Sequence, residues 1–394
     1  MHARYRRFIL IVLLPILLLL AAGAANWKFL KAAGELTSIE DIAAIQQRKG
    51  GLYGTALHPN VYPYKLELFA ARSPEIVAIG SSRVLQFRQS QFNRSFANLG
   101  RTINYPAEAV KLVQDMLAIG TPKIVLFGID HYWLNPAYTT APDFRTHELR
   151  GGSLTPDAMM TPFRWLLEGR VTPETYRSFL AGNIPVAPNG EPLIGIQAIE
   201  DGAGFGPDGA WYYDHYIYGR RAAEDPGFQD TLRRVTTGTS QFRHGREIDA
   251  DRVEKLKTAI GLLRQAGGHV ITFVPPMSER VRRKMDSLGA AYGYAEQARK
   301  AIAALNTPHA DFLDGRPSGV EDCEFVDGFH VGDVGIARLL LALARNPESQ
   351  LTDVLNQEHL RAVIEHEAGH ATSDRRFRRN GETEIDFLRL GCPK

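Results

Sequence analysis

Three short apolar runs, each closed by a glycine, constrain this chain more than any other feature. They are residues 75–80 (EIVAIG), 95–100 (SFANLG) and 123–128 (KIVLFG). Each is a strand-length run bounded by breakers, the pattern of a strand buried on both faces. Helical spacing separates them. Residues 106–119 start on proline and carry Ala109, Leu112, Val113, Met116 and Leu117 on one side, and 84–92 can also form a helix. The rhythm resumes with a helix at 249–265, closed by Gly267-Gly268, and a fourth strand in HVITFVPP. Beyond it come largely helical sequence at 278–305, a short fifth strand at 310–314 and a helix at 333–344. Strands alternating with helices predict a parallel sheet covered on both faces. Between 131 and 248 the alternation is lost in a stretch rich in Gly, Pro, Tyr and Trp. That length is too great for a loop, so it reads as an insertion roofing the sheet edge.

The amino terminus dictates where the body goes. Arg4, Arg6 and Arg7 precede a run from Phe8 to Trp27 that carries no charge. A run of roughly 20 apolar residues crosses a bilayer, and basic residues before it stay in the cytoplasm. Ala22-Gly23-Ala24 also fits a cleavage site, so a retained anchor competes with a removed signal peptide. Both export the protein. The expected organisation is a cytoplasmic stub and span at 1–27, a connector at 28–70, an α/β domain at 71–345 containing the insertion, and a helix and tail at 346–394. Forty-six basic against 44 acidic residues give a net charge of +2, without the basic surplus of a nucleic-acid binder. Two cysteines, Cys323 and Cys392, can pair in an oxidising compartment or stand as unrelated thiols.

Ligands of an open parallel sheet bind at the carboxyl ends of its strands. Those ends carry Gly80-Ser81-Ser82, Asn98-Leu99-Gly100 and Gly128-Ile129-Asp130-His131, and Asp327-Gly328-Phe329-His330 precedes the last core helix. A serine nucleophile needs a base and a carboxylate that orients the base. Asp327 and His330, three residues apart on one turn, can supply both. Backbone N–H groups at glycine-ended strands can serve a developing oxyanion.

These blocks, in this order, resemble the SGNH (GDSL-like) hydrolase superfamily over roughly 75–130 and 249–344. The resemblance implies a three-layer, flavodoxin-like parallel sheet. It also implies Ser82 as nucleophile, His330 as base, Asp327 as its orienter, and the Ser82 and Gly100 backbones as oxyanion donors. Ser81 stands where the family has Asp, and Asp130 where it has a donating Asn. An ionised carboxylate cannot donate, so Asp130 is either protonated, in another role or outside the aligned block; it is assigned, with His131, to the lining of the site. Arg83 either supplies compensating positive charge or is a surface helix residue. The anchor, the Gly-Ser-Ser block and the late Asp-x-x-His look most like membrane-anchored bacterial proteins of cell-surface polysaccharide O-acylation, the alginate O-acetylation type among them. That similarity implies a single-pass inner-membrane protein with its domain in the periplasm. It would act on a surface glycan or small acyl ester, without a cofactor, as a transferase or esterase. A catalytically silent glycan-binding partner of a membrane acyltransferase is the alternative. Trp211 and Tyr213 would suit stacking on sugars, or are core of the insertion.

One further motif competes. His366-Glu367-Ala368-Gly369-His370 matches H-E-x-x-H, in which two histidines one turn apart bind zinc. Gly369 sits where the helix expected at 352–368 stops, which favours a polar terminal helix with solvated histidines. The basic cluster at 375–379 (RRFRR) reads as a solvated tail.

Overall fold

The computed structural model describes residues 2–57, 60–139 and 155–393, with the backbone alone for residues 2–11. The chain opens with α1 (His2–Ala32), α2 (Ile39–Lys49), β1 (Leu52–Tyr53) and α3 (Val61–Arg72). The glycine-ended runs follow as β2 (Ile76–Gly80), β3 (Phe96–Gly100) and β4 (Ile124–Gly128), with α4 (Pro106–Ile119) between the last two. The middle of the chain holds α5 (Pro156–Leu167), α6 (Pro173–Leu180), β5 (Leu193–Ile194), β6 (Ala203–Phe205), β7 (Trp211–Tyr213), α7 (Asp214–Ile217) and α8 (Gln229–Thr237). The α/β pattern then returns in α9 (Ala250–Gln265), β8 (His269–Val274), α10 (Glu279–Ser287), α11 (Tyr294–Ala303), β9 (His309–Asp311), α12 (Asp333–Leu343) and α13 (Gln357–His366).

The main sheet has the order β3-β2-β4-β8-β9, and every pairing is parallel. Gly80 pairs with Gly100, and Gly128 with Phe273, so the glycine ends lie side by side along one edge of the sheet. β2 leads to β3 on one side and β4 lies on the other. Ser82 therefore leaves the sheet where the strand order reverses, the position at which such sheets open a ligand crevice. All five residues of each of β2, β3 and β4 are buried, as their unbroken apolar runs require. α4 packs against α9, α3 against β3, and α11 against β8 and β9.

Three expectations are corrected. The stretch at 84–92 is not a helix but two 3-10 turns, Ser82–Val84 and Gln89–Gln91. Carbonyls that a helix would use internally are taken from outside. Asn98 Nδ2 donates to Val84 O at 2.8 Å and Phe87 O at 3.0 Å, and Trp211 N–H donates to Leu85 O at 3.0 Å. The expectation of largely helical sequence at 278–305 holds, as α10 and α11 with a turn around Gly289 between them.

Residues 28–70 are more than a connector. β1 joins β5, β6 and β7 in a second sheet of order β5-β1-β6-β7, and α3 lies on the main sheet. The expected insertion at 131–248 is divided accordingly. Its strands complete the small sheet, whereas Trp133, Phe228, Val235 and Phe242 belong to the main core; 140–154 lie outside the described residues. The basic tail is stitched down. Phe377 is 2% exposed, Glu367 accepts both terminal nitrogens of Arg375 at 2.6 Å, and Arg379 donates to Ile199 O. Its arginines nevertheless stay in water as a solvated tail would have them: Arg376, Arg378 and Arg379 are exposed and Arg375 is only half-buried.

α1 is the one helix among the described residues long and apolar enough to cross a membrane. It runs into the body without a linker. Phe29, Leu30 and Ala33 are buried against Trp165 and Phe179, and Asn26 donates to Met159 O at 2.7 Å and accepts from Tyr176 Oη at 2.6 Å.

Candidate active site

At the end of β2 the chain turns sharply. Gly80 has φ +152°, and a Cβ there would lie 2.8 Å from Gly128 O, so only glycine brings the two strand ends this close. Ser81 caps the following turn, its Oγ accepting from Arg83 N–H at 3.2 Å. Ser82 is the first residue of that turn and is partly exposed. As the first donor of a turn its N–H lacks an internal partner, and no acceptor for it is found among the described residues.

The second half of the site is a tight loop at 326–330. Val326 N–H donates to His330 O at 2.8 Å, and Asp327 Oδ1 accepts from Phe329 and His330 N–H, each at 2.7 Å. This fixes the carboxylate and leaves Oδ2 for His330 Nδ1 at 2.8 Å. His330 Nε2 lies 2.8 Å from Ser82 Oγ. Burial raises the Asp327 carboxyl, but His330 and the two N–H donors more than offset it and hold the group below its ordinary value. An ionised carboxylate only accepts, so Nδ1 carries the proton and Nε2 of the neutral ring accepts Ser82 O–H. Ser82, His330 and Asp327 thus form one hydrogen-bonded relay from two segments 248 residues apart.

The remaining expected residues divide. Asp130 does not face a reacting group: it is fully buried, accepting from Arg83 Nη1 at 2.6 Å and from Tyr132 Oη at 3.0 Å. Arg83 is not a surface residue either. Its Nε donates to Phe329 O at 3.2 Å, its Nη2 to Pro275 O at 2.9 Å and Pro276 O at 2.5 Å, and it lies 4.4 Å from the Phe329 ring. The residue after the serine therefore grips the residue before the histidine.

His131 is 1% exposed and stacks on Tyr294 at 6.0 Å behind the site. Burial, reinforced by Arg83, pushes it down to about 3, so it stays neutral and does not line the opening. Gly100 closes on Asn98: its N–H donates to Asn98 Oδ1 at 2.8 Å and is not free for an oxyanion. Trp211 packs edge-on against Phe205 at 4.6 Å and is 8% exposed, a wall more than a platform. Tyr213 is half-buried, and burial together with the neighbouring Asp327 raises its hydroxyl.

Cys323 and Cys392 are joined, tying the C-terminus to the turn that leads into the His330 loop. The H-E-x-x-H reading loses its geometry. α13 ends at His366 and Gly369 adopts φ +80°, so the second histidine is not one turn further along a helix. Glu367 is engaged by Arg375, and His370 Nδ1 lies 3.1 Å from Glu384. No cluster of three or more candidate metal ligands occurs among the described residues.

Two contributors were missed from the sequence. Asn98 is a polar residue at 0% exposure in the middle of a five-residue buried strand, and that misfit was the available signal. Asp225 accepts from Gly328 N–H at 3.2 Å and Thr231 N–H at 3.2 Å, bracing the His330 loop from the middle of the chain; nothing in its local sequence marks it.

No family model matches the chain, and no curated protein matches it either.

Proposed function

We propose that this is an exported, single-pass membrane protein with an SGNH-like domain, transferring or hydrolysing an O-acyl group, most simply acetyl, on cell-surface glycan. The observation that carries the reading is the relay Ser82–His330–Asp327, with both links at 2.8 Å. Ser82 Oγ attacks the acyl carbonyl carbon as its proton passes to His330 Nε2, and Asp327 stabilises the imidazolium. The Ser82 N–H is the backbone donor open to the oxyanion. Collapse expels the alcohol, which takes the proton from His330 and leaves an acyl ester on Ser82. A glycan hydroxyl or water then gives its proton to His330, attacks that ester and regenerates the serine.

The continuity of α1 with the body supports action at the membrane surface, since Asn26 is already fully buried in protein. The orientation expected from the amino-terminal arginines places the domain in the periplasm. The reading is tested on the full-length protein in detergent. Acetyl-ester hydrolysis should be measurable and should fall at least a hundredfold in Ser82→Ala; equal rates in the two proteins would refute it.

A second reading has an observation in its favour. Gly100 N–H is occupied by Asn98, and Asp130 is locked to Arg83, so the oxyanion site is sparsely furnished. A silent glycan-binding partner of a membrane acyltransferase, itself without turnover, is consistent with that. The same assay separates the two, because the silent partner binds glycan but hydrolyses no ester.

A further inference from the structure

Past the end of β3 lies a cavity of about 260 Å³ between the edge of the main sheet and the small sheet. Tyr53, Phe205 and Trp211 wall it, and two arginines, Arg101 and Arg170, line it. Arg101 directly follows β3. Its backbone N–H donates to Ser81 O at 3.0 Å, which fixes it next to Ser82. Its φ of +68° is left-handed, a conformation that is costly for a residue other than glycine and that clusters at functional sites. The side chain lies 5.9 Å from the Trp211 ring.

Arg170 lies across the cavity, 5.6 Å from the Trp165 ring, with a buried Nε that has no hydrogen-bond partner. Neither arginine forms an ion pair or a side-chain hydrogen bond among the described residues. Other buried arginines also leave one nitrogen without a hydrogen bond, Arg88 Nη1 and Arg252 Nε among them, but each holds a carboxylate or carbonyl through another nitrogen: Arg83 on Asp130, Arg88 on Asp333, Arg252 on the carbonyls of Trp133 and Tyr138. Two buried carboxylates whose charge bears on Arg170, Glu35 and Asp201, are engaged elsewhere. Glu35 accepts from the N–H groups of Ala56, Leu57 and Ile196, and Asp201 pairs with Arg221. Arg101 is exposed at the cavity, whereas Arg170 is half-buried, and a half-buried guanidinium left unpaired is costly unless an anion completes it.

We propose that this cavity is an anion subsite, in which Arg101 and Arg170 take a carboxylate or phosphate borne by the ligand. Two planar guanidinium forks suit bidentate capture of either group, and the aromatic walls suit the ring that carries it. That the anion belongs to an acyl-bearing glycan rests on the function proposed above; the binding of the anion does not.

The test uses full-length Ser82→Ala protein in detergent and calorimetric titration with three oligomers of equal length: an oligouronate, an oligo(glycerol phosphate) and a neutral mannan oligosaccharide. One anionic oligomer should bind at least about tenfold tighter than the neutral one, the scale of one charge-assisted hydrogen bond. Which of the two wins identifies the group. Arg101→Gln and Arg170→Gln should each remove that advantage, Arg170→Lys should keep part of it, and neutral binding should be unmoved. Equal affinity for neutral and anionic oligomers overturns the proposal, as does full anionic affinity in both glutamine variants. If a variant fails to fold, as judged by its melting curve, the three-ligand comparison in the parent decides, together with its salt dependence. Anion selectivity without ester turnover in the Ser82 protein would retain the subsite and reject the acyl-transfer reading; turnover without selectivity would do the reverse.

Discussion

Arg83 and Asp130 form an ion pair at 2.6 Å with both side chains fully out of water. It accounts for a carboxylate where a hydrogen-bond donor was expected, since Asp130 balances the arginine that holds Phe329 beside His330. Breaking one side of such a pair leaves a buried charge uncompensated and costs about 3–5 kcal/mol. Arg83→Met should therefore lower unfolding free energy by that amount in urea titrations. The double variant Arg83→Met, Asp130→Leu should recover most of it while still lacking the link between the two halves of the relay. A single variant as stable as the parent would show that the pair carries no such role.

Asp214, at the start of α7, is buried with one carboxylate oxygen unpartnered. Burial pushes its carboxyl from 3.8 up to about 7, against the pull of Arg220 and Arg88. The folded state thus keeps a proton that the unfolded chain releases above 3.8. The stability it confers is complete below that value and is lost as pH rises through 7. At 1.36 kcal/mol per unit the loss reaches about 4 kcal/mol. Stability measured from pH 4 to 8 should fall less steeply in Asp214→Asn; parallel curves would contradict this.

The Cys323–Cys392 bridge closes a segment of 69 residues that includes α12, α13 and the tail. Loop-closure entropy assigns such a bridge about 4 kcal/mol. Cys392→Ser should lower the melting temperature, and a reductant should do the same to the parent but not to the variant. Insensitivity of the parent to reductant would argue against the bridge.

The sheet was legible from the residues because its strands are buried on both faces and end in glycine. β2, β3 and β4 each start one residue inside the apolar run that announced them. Ser82 was legible from its place after a glycine-ended strand, and Asp327 and His330 from their spacing on one turn just before the last core helix. What stayed hidden depends on distant partners. Nothing within GSSRV says that Arg83 turns inward, because the carbonyls it meets belong to residues 275, 276 and 329. The 84–92 stretch has helical composition, yet Asn98 and Trp211 take its carbonyls. The charged tail is solvated at Arg376, Arg378 and Arg379 as its composition says, but nothing in it announces that Phe377 is buried or that Glu367 meets Arg375.

The central claim is that Ser82 becomes acylated through His330. Intact-mass spectrometry of the full-length protein, quenched in acid during turnover of an activated acetyl ester, tests it most directly. An added acetyl group that maps to the peptide containing Ser82, absent in Ser82→Ala and scarce in His330→Ala, is the predicted result. Acetylation elsewhere, or to the same extent in the Ser82→Ala protein, would contradict it.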